Sequence, residues 1–222
     1  MSFDNQEIIY LSPCSWIGRA KMLDSYRNKV DGILTPISKA FIGWSPNSIS
    51  LLSLILAGLG GLSYYLGYPY VTLVMVVFSA LFDAVDGKVA RIKGSSSKLG
   101  DFIDHSFDRF ADIFLILGFA FSRFGNIYLG VFALIGVLMT SYLGTQAQAL
   151  GLNRLYAGIM GRADRLVIMI VLIIVQIFVG TFYRLPTIDV TPTNILLLVF
   201  GLFGTATVIQ RFIIIYRRLS KN

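Results

Sequence analysis

Long apolar segments constrain this chain more than any other feature of its sequence. Six segments dominated by Leu, Ile, Val and Phe cover residues 47–66, 70–92, 99–121, 127–150, 163–183 and 193–216. A helix of about 20 apolar residues spans the roughly 30 Å hydrocarbon layer of a bilayer. Because backbone polar groups inside a bilayer need partners within their own segment, we expect each segment to be a transmembrane helix.

Composition narrows the class of protein and the kinds of site. The 222 residues predict one domain, residues 1–222, with 55% hydrophobic and only 14% charged residues, against about 25% charged in soluble domains. The net charge of +7 does not indicate a nucleic-acid partner, since basic soluble domains lack this apolar content. With one cysteine, Cys14, and one histidine, His105, any metal site must be built mainly from oxygen ligands.

Lys and Arg residues are concentrated on one side of the expected bundle. They precede the first segment, join the second to the third and the fourth to the fifth, and follow the sixth, whereas the other side has only Arg123 and Arg184. Because basic loops stay cytoplasmic, we expect a multi-pass cell-membrane protein with both termini in the cytoplasm.

The segment before the first apolar stretch has a different pattern. Between residues 16 and 44, apolar residues recur near helical spacing, with basic residues between them. This pattern predicts an amphipathic helix in the cytoplasmic interface, although an ordinary basic arm is an alternative. The predicted fold is therefore all-α, with an interfacial helix at 16–44 and a six-helix transmembrane bundle at 46–217.

Four aspartates interrupt the second and third apolar segments. Asp83 and Asp86 share one helical face, and Asp104 and Asp108 share one face of the next helix. Since a short connection makes consecutive helices antiparallel, we expect all four carboxylates to converge at the cytoplasmic end of the bundle.

The energetic cost of these aspartates indicates a function. Each costs about 2.5–3.5 kcal/mol near the centre of a membrane helix, and pairing with Arg91 and Arg109 would leave the cluster acidic. Divalent cations would neutralise it, and an all-oxygen shell suits Mg²⁺ or Mn²⁺, with Ca²⁺ also open. A divalent-cation transporter is the alternative class, but it predicts acidic residues throughout the membrane depth, and the other four segments contain no carboxylate in the middle of the membrane.

The charged stretch resembles the signature of the CDP-alcohol phosphotransferase family, D-x2-D-G-x2-A-R-x8-G-x3-D-x3-D. The matching residues are Asp83, Asp86, Gly87, Ala90, Arg91, Gly100, Asp104 and Asp108. The resemblance implies a homodimeric enzyme that transfers a substituted phosphoryl group from a CDP-linked lipid to an alcohol and releases CMP. CDP-diacylglycerol and CDP-archaeol both remain open as the lipid.

The resemblance also implies roles for individual residues. The four aspartates would hold two Mg²⁺ or Mn²⁺ ions, and Asp108 would in addition be the general base for the acceptor hydroxyl. The CDP-lipid would lie against a set of small, polar and basic residues: Asn47, Ser50, Gly87, Ala90, Arg91, Ser97 and Gly100. Among these, the small residues would leave space for a ligand beside the carboxylates.

A second segment bears on the acceptor. Gly158-Ile-Met-Gly161-Arg162-Ala-Asp164-Arg165 resembles the G-x-x-x-R-x-[DE]-R segment of phosphatidylinositol phosphate synthases and their archaeal counterparts. The resemblance implies that Arg162 and Arg165 grip the phosphate of inositol 1-phosphate, with a further cation from Arg154 or Arg211. Neutral Gly144 and Gln146 stand where that group often has basic residues, so glycerol 3-phosphate, serine and free inositol stay open.

Overall fold

The computed structural model describes residues 32, 34–95, 97–152, 158–179, 183–184 and 189–220, and nearly all of them are helical. The helices are α1 (34–40), α2 (Pro46–Tyr65), α3 (Pro69–Ile92), α4 (Lys98–Phe121), α5 (Ile127–Ala149), α6 (Arg162–Val179) and α7 (Pro192–Leu219). Two short strands, β1 (Tyr183–Arg184) and β2 (Asp189–Val190), pair in antiparallel fashion between α6 and α7. The six long helices correspond to the six apolar segments.

Four of these helices, α2, α3, α5 and α7, are long and apolar enough to cross a membrane. The other two long helices are more polar at one end. Helix α4 contains three aspartates beyond its first turn, and the 18 residues of α6 include Arg162, Asp164 and Arg165. The chain is thus an all-α membrane protein in which the charged residues lie on particular helices.

Local sequence explains where the long helices begin. The side chains of Ser45, Ser97, Asn126 and Thr191 each accept a backbone N–H at the start of α2, α4, α5 and α7. Short connections join α2 to α3, α3 to α4 and α4 to α5, so these consecutive helices are antiparallel. The start of α6 contacts α3 and α4 through Arg162, and the end of α7 contacts α5 through Arg211. The first residues of α2, α4 and α6 and the last residues of α3, α5 and α7 consequently share one end of the bundle, here called the motif end.

Small residues let pairs of helices approach closely. Where α2 crosses α4, a Cβ added to Gly118 would overlap the backbone of Gly61. Where α5 crosses α7, a Cβ added to Gly204 would overlap the backbone of Gly136. These glycines allow backbone contact between helices, as small residues commonly do in membrane bundles.

Large apolar side chains fill the space between the helices and also cover the outside. The interior contains almost fully buried side chains, namely Tyr64, Phe119, Met169, Ile173, Leu196, Leu197 and Phe200. The outward faces expose Leu, Ile, Val and Phe, and Phe178 is 83% exposed. An exterior of this kind suits contact with lipid rather than water.

The predicted interfacial helix is only partly within the described residues. Residues 34–40 are helical, but 41–44 form a turn, so the helix ends earlier than the predicted residue 44. Leu34, Ile37 and Phe41 pack against Ile49 and the end of α3, which draws this turn towards the bundle. Residues 1–31 and 33 lie outside the described part of the chain.

The predicted fifth and sixth segments are wrong at their ends. Helix α6 ends at Val179 instead of residue 183, and the backbone of Tyr183 pairs with that of Val190 in the short strand pair. Helix α7 continues to Leu219 rather than ending at 216. The aromatic composition near residue 183 suited a membrane helix, but the pairing with β2 provides its backbone partners instead.

Candidate active site

The four motif aspartates lie together at the motif end. Asp83, Asp86 and Asp104 can each offer a carboxylate oxygen within 4.8 Å of the other two. Asp104 and Asp108 form a second such group with His105. The convergence expected from helical spacing is therefore observed, and Asp104 connects the two groups.

Burial of Asp86 is consistent with a cation ligand. Asp86 is only 4% exposed, and its Oδ2 has no hydrogen-bond partner among the described residues. Leaving a buried carboxylate oxygen without a donor is costly unless a cation balances it. Together with the purely carboxylate character of the cluster, this fits Mg²⁺ or Mn²⁺.

Arg162 extends from the first turn of α6 into the aspartate cluster. Its Nη1 lies 2.7 Å from Asp83 Oδ2 and 2.7 Å from Asp108 Oδ1. Arg109 also approaches Asp108, with Nη1 3.5 Å from Oδ2. The expected pairing of Arg109 with an aspartate is thus observed, while Arg162 contacts carboxylates where the sequence predicted a phosphate ligand.

A cavity of about 610 Å³ opens beside the cluster between the motif ends of α2, α3 and α4, and we call it the α2–α4 cavity. It is lined by all seven residues predicted to contact the CDP-lipid: Asn47, Ser50, Gly87, Ala90, Arg91, Ser97 and Gly100. A Cβ added to Gly87 would meet no atom of the described residues within 4 Å. The small residue therefore widens the cavity and is not needed for helix packing.

A second cavity, of about 240 Å³, lies between α4, α5, α6 and α7, and we call it the α4–α7 cavity. Four arginines from three helices line it: Arg109, Arg162, Arg165 and Arg211. Asp108 is the carboxylate in its wall, and Thr140, Ser141 and Thr145 of α5 add hydroxyl groups. In the described part of the wall, four guanidinium groups against one carboxylate favour an anionic ligand.

Two of these arginines are held by groups on neighbouring helices. Arg165 Nη2 lies 2.8 Å from Asp112 Oδ2, and both side chains are buried. Arg211 Nη1 donates to the carbonyl oxygen of Thr140 at 2.6 Å. Arg154, the other predicted acceptor residue, lies outside the described residues.

The two cavities meet at the aspartates. Arg162 belongs to the walls of both, Asp83 and Asp104 line the α2–α4 cavity, and Asp108 lines the α4–α7 cavity. A ligand in each cavity would therefore approach the other at the carboxylate cluster. Sequence reasoning missed Ser141 and Thr145 as wall residues, although two hydroxyls four residues apart share a helical face.

His105 and Asp101 lie beside this junction. His105 Nδ1 is 3.5 Å from Asp104 Oδ2, and its Nε2 is 3.6 Å from Asp101 Oδ1. The imidazole thus contacts a motif aspartate from outside the set of four carboxylates. This arrangement resembles the outer support that commonly orients metal ligands.

Known proteins share this sequence pattern. The family model for CDP-alcohol phosphatidyltransferase matches residues 44–216. An archaetidylinositol phosphate synthase of Pyrococcus horikoshii is 31% identical over 152 residues, which cover 68% of this chain and 81% of that protein. A phosphatidylinositol phosphate synthase of Streptomyces avermitilis is 32% identical over 219 residues, covering 92% of this chain and 86% of its own length.

The fold also matches solved structures. The phosphatidylinositol phosphate synthase of Mycobacterium tuberculosis with CDP-DAG bound has a TM-score of 0.70 and 24% identity, covering 83% of this chain and 94% of that chain. A structure of the same protein in complex with manganese and citrate has a TM-score of 0.70 and 23% identity, with 82% and 88% covered. At this identity the likeness concerns the fold.

Proposed function

Because the chain belongs to the CDP-alcohol phosphatidyltransferase family, we propose that it transfers the phosphatidyl-type group of a CDP-linked lipid to inositol 1-phosphate and releases CMP. The observation that carries this proposal is the meeting of two cavities of different character at one aspartate cluster. Relatives named as archaetidylinositol and phosphatidylinositol phosphate synthases support the acceptor.

The CDP-lipid is the ligand of the α2–α4 cavity in this proposal. Gly87, Ala90 and Gly100 leave room for the nucleotide, and Arg91 supplies a positive charge for a phosphate. Asn47, Ser50 and Ser97 add polar groups to the wall. Support also comes from the fold of the related enzyme that contains CDP-DAG.

Two divalent ions, Mg²⁺ or Mn²⁺, would be held by Asp83, Asp86, Asp104 and Asp108. When bound, such ions neutralise the charge of a pyrophosphate and stabilise the leaving phosphate. The manganese in the structure of the related synthase supports this choice. The buried Oδ2 of Asp86 and the all-carboxylate cluster support it within this chain.

The acceptor and the residue that takes its hydroxyl proton are assigned to the α4–α7 cavity. Arg165 and Arg211 would bind the acceptor phosphate in the α4–α7 cavity, with Arg154 and Arg162 as further cations. Asp108, which faces this cavity, would take the proton of the attacking hydroxyl. A new oxygen–phosphorus bond forms to the lipid-bearing phosphorus, the bond to the CMP oxygen breaks, and CMP leaves.

The membrane arrangement is part of the same proposal. We infer one domain with six transmembrane helices, α2 to α7, plus an interfacial helix at the N-terminal side, forming a homodimer in the cell membrane. The motif end would face the cytoplasm, since Lys and Arg residues concentrate at the connections of this end. Water-soluble inositol phosphate and CMP would then enter and leave from the cytoplasm.

An acceptor panel tests the proposed reaction. Purified protein with Mn²⁺ and either CDP-diacylglycerol or CDP-archaeol is given inositol 1-phosphate, glycerol 3-phosphate, serine or inositol, and CMP release is measured. Inositol 1-phosphate should give the highest kcat/KM. Preference for glycerol 3-phosphate would overturn the acceptor but keep the chemistry, and absence of CMP release with every pair would contradict the transferase.

A further inference from the structure

The buried ion pair between α4 and α6 lies outside the four-aspartate motif. Asp112 is one helical turn beyond Asp108, and its Oδ2 accepts a hydrogen bond from Arg165 Nη2 at 2.8 Å. Side-chain exposure is 7% for Arg165 and 9% for Asp112. Arg165 lines the α4–α7 cavity, whereas Asp112 contacts it from behind the wall.

We propose that Asp112 is a positioning residue that orients the Arg165 guanidinium towards the phosphate of the acceptor. The inference rests on the proposed function, because it assumes that the α4–α7 cavity takes a phosphorylated alcohol. Asp112 belongs neither to the four-aspartate motif nor to the arginine segment at 158–165. Its carboxylate acts on the acceptor side by binding an arginine of the protein rather than a metal ion.

The chemistry of arginine explains how such an arrangement works. A guanidinium carries five N–H donors in a planar fork, and the bond from Nη2 to Asp112 fixes that plane while leaving donors for a phosphate. A charge-assisted bond of this kind is about twice as strong as a neutral one. Arg165 is thereby set in one orientation before the acceptor arrives, which lowers the ordering cost of binding.

Local charge gives a second reason for a carboxylate at this position. Arg165 shares the cavity with Arg109, Arg162 and Arg211, and four like charges in about 240 Å³ repel one another. Arg162 pairs with Asp83 and Asp108, and Arg109 also approaches Asp108. Asp112 balances Arg165 in the same way, so the arginine can remain in a buried place without a ligand.

Two other roles for Asp112 make different predictions. As a metal ligand it would change the Mn²⁺ dependence, but the carboxylate groups close enough to share an ion contain Asp83, Asp86, Asp104 and Asp108 and not Asp112, among the described residues. As a simple structural tie between α4 and α6 it would change stability without a selective effect on one substrate.

The test compares KM for each substrate in Asp112→Asn, Asp112→Ala, Arg165→Ala and the double variant Asp112→Ala/Arg165→Ala. Asp112→Ala should raise the KM for inositol 1-phosphate about tenfold, with the KM for the CDP-lipid and the Mn²⁺ dependence unchanged. The double variant should match Arg165→Ala, since Asp112 acts through Arg165. Asp112→Asn keeps an oxygen acceptor and should raise the same KM about threefold.

A matched control breaks a different buried polar contact on α6. Gln176→Leu removes the acceptor of the Thr193 hydroxyl far from the cavity, and should lower thermal stability with both KM values unchanged. If Asp112→Ala does not fold, Asp112→Asn carries the test. Equal effects of Asp112 variants on both KM values, or none on the acceptor KM, would overturn the inference, whereas a wild-type protein without inositol phosphate turnover would overturn the proposed function instead.

Discussion

The two cavities differ in how they balance the charge of a phosphate. In the α2–α4 cavity, aspartates outnumber cations among the described residues, so a pyrophosphate proposed to bind there would need metal ions between it and the protein. In the α4–α7 cavity, four arginines and one aspartate lie in the described wall, so a phosphate could bind guanidinium groups directly. Under the proposed function, metal would therefore neutralise the donor and arginine would neutralise the acceptor.

Removal of the metal ions should give the largest difference between ligand binding in the two cavities. With a chelator, CMP release should fall to the background rate, because metal neutralisation of the leaving phosphate is worth several kcal/mol, or about a thousandfold or more. Binding of CDP should be lost as well, while inositol 1-phosphate should still bind within about threefold of its normal affinity. Calorimetric titration measures the affinity for each ligand. An equal loss of affinity for CDP and for inositol 1-phosphate would contradict the difference between the two cavities.

Replacing Asp108 by Asn should have the next largest effect. We expect kcat to fall about a thousandfold, because a positioned base contributes about 10² to 10⁴. Single-turnover CMP release with a size-exclusion check of folding measures this. Near-normal turnover would remove Asp108 from the role of base.

Gly87→Val should affect the α2–α4 cavity alone. An added Cβ meets no atom within 4 Å in the part of the chain that the structure describes, so the thermal midpoint should stay unchanged while the KM for the CDP-lipid rises about tenfold. Gly118→Val is the matched control, since its added carbon overlaps the backbone of Gly61 and should lower the thermal midpoint. A loss of stability in Gly87→Val would contradict the assignment of free space.

These predictions concern two regions whose contacts could not be predicted equally well from the sequence. The donor-side residues lie mostly on α3 and α4, which are consecutive and joined by a short connection, so helical spacing alone brings Asp83 and Asp104 together. The acceptor-side contacts join distant residues: Arg165 bonds Asp112, 53 positions away, and Arg211 bonds Thr140, 71 positions away. Spacing carries no information about such pairs.

The same contrast applies to the helices themselves. Apolar composition indicated the six long helices because the backbone hydrogen bonds of each helix form within its own segment. It did not mark the end of α6, where the partner of the Tyr183 backbone is Val190 on another segment. Nor did it predict that Arg162 would contact Asp83, since the charge pattern identifies cations without identifying their partners.

Ser141→Ala should have the smallest effect and should fall on the acceptor side. Loss of one neutral hydroxyl from the cavity wall should raise the KM for inositol 1-phosphate about threefold, with the CDP-lipid KM unchanged. Ser63→Ala, which alters a buried hydroxyl pair with Thr72 at the other end of α2, serves as the control. A larger change in the KM for the CDP-lipid than in that for inositol 1-phosphate would contradict the assignment of Ser141 to the acceptor side.

The most direct test of the two-cavity account is a crossed measurement of both KM values in Arg91→Gln and Arg211→Gln. Each variant removes one cation, the first from the α2–α4 cavity and the second from the α4–α7 cavity. The account predicts that Arg91→Gln raises only the KM for the CDP-lipid and Arg211→Gln only that for inositol 1-phosphate, each about tenfold. If both variants raise the KM of the same substrate, the division of the site between two cavities is contradicted.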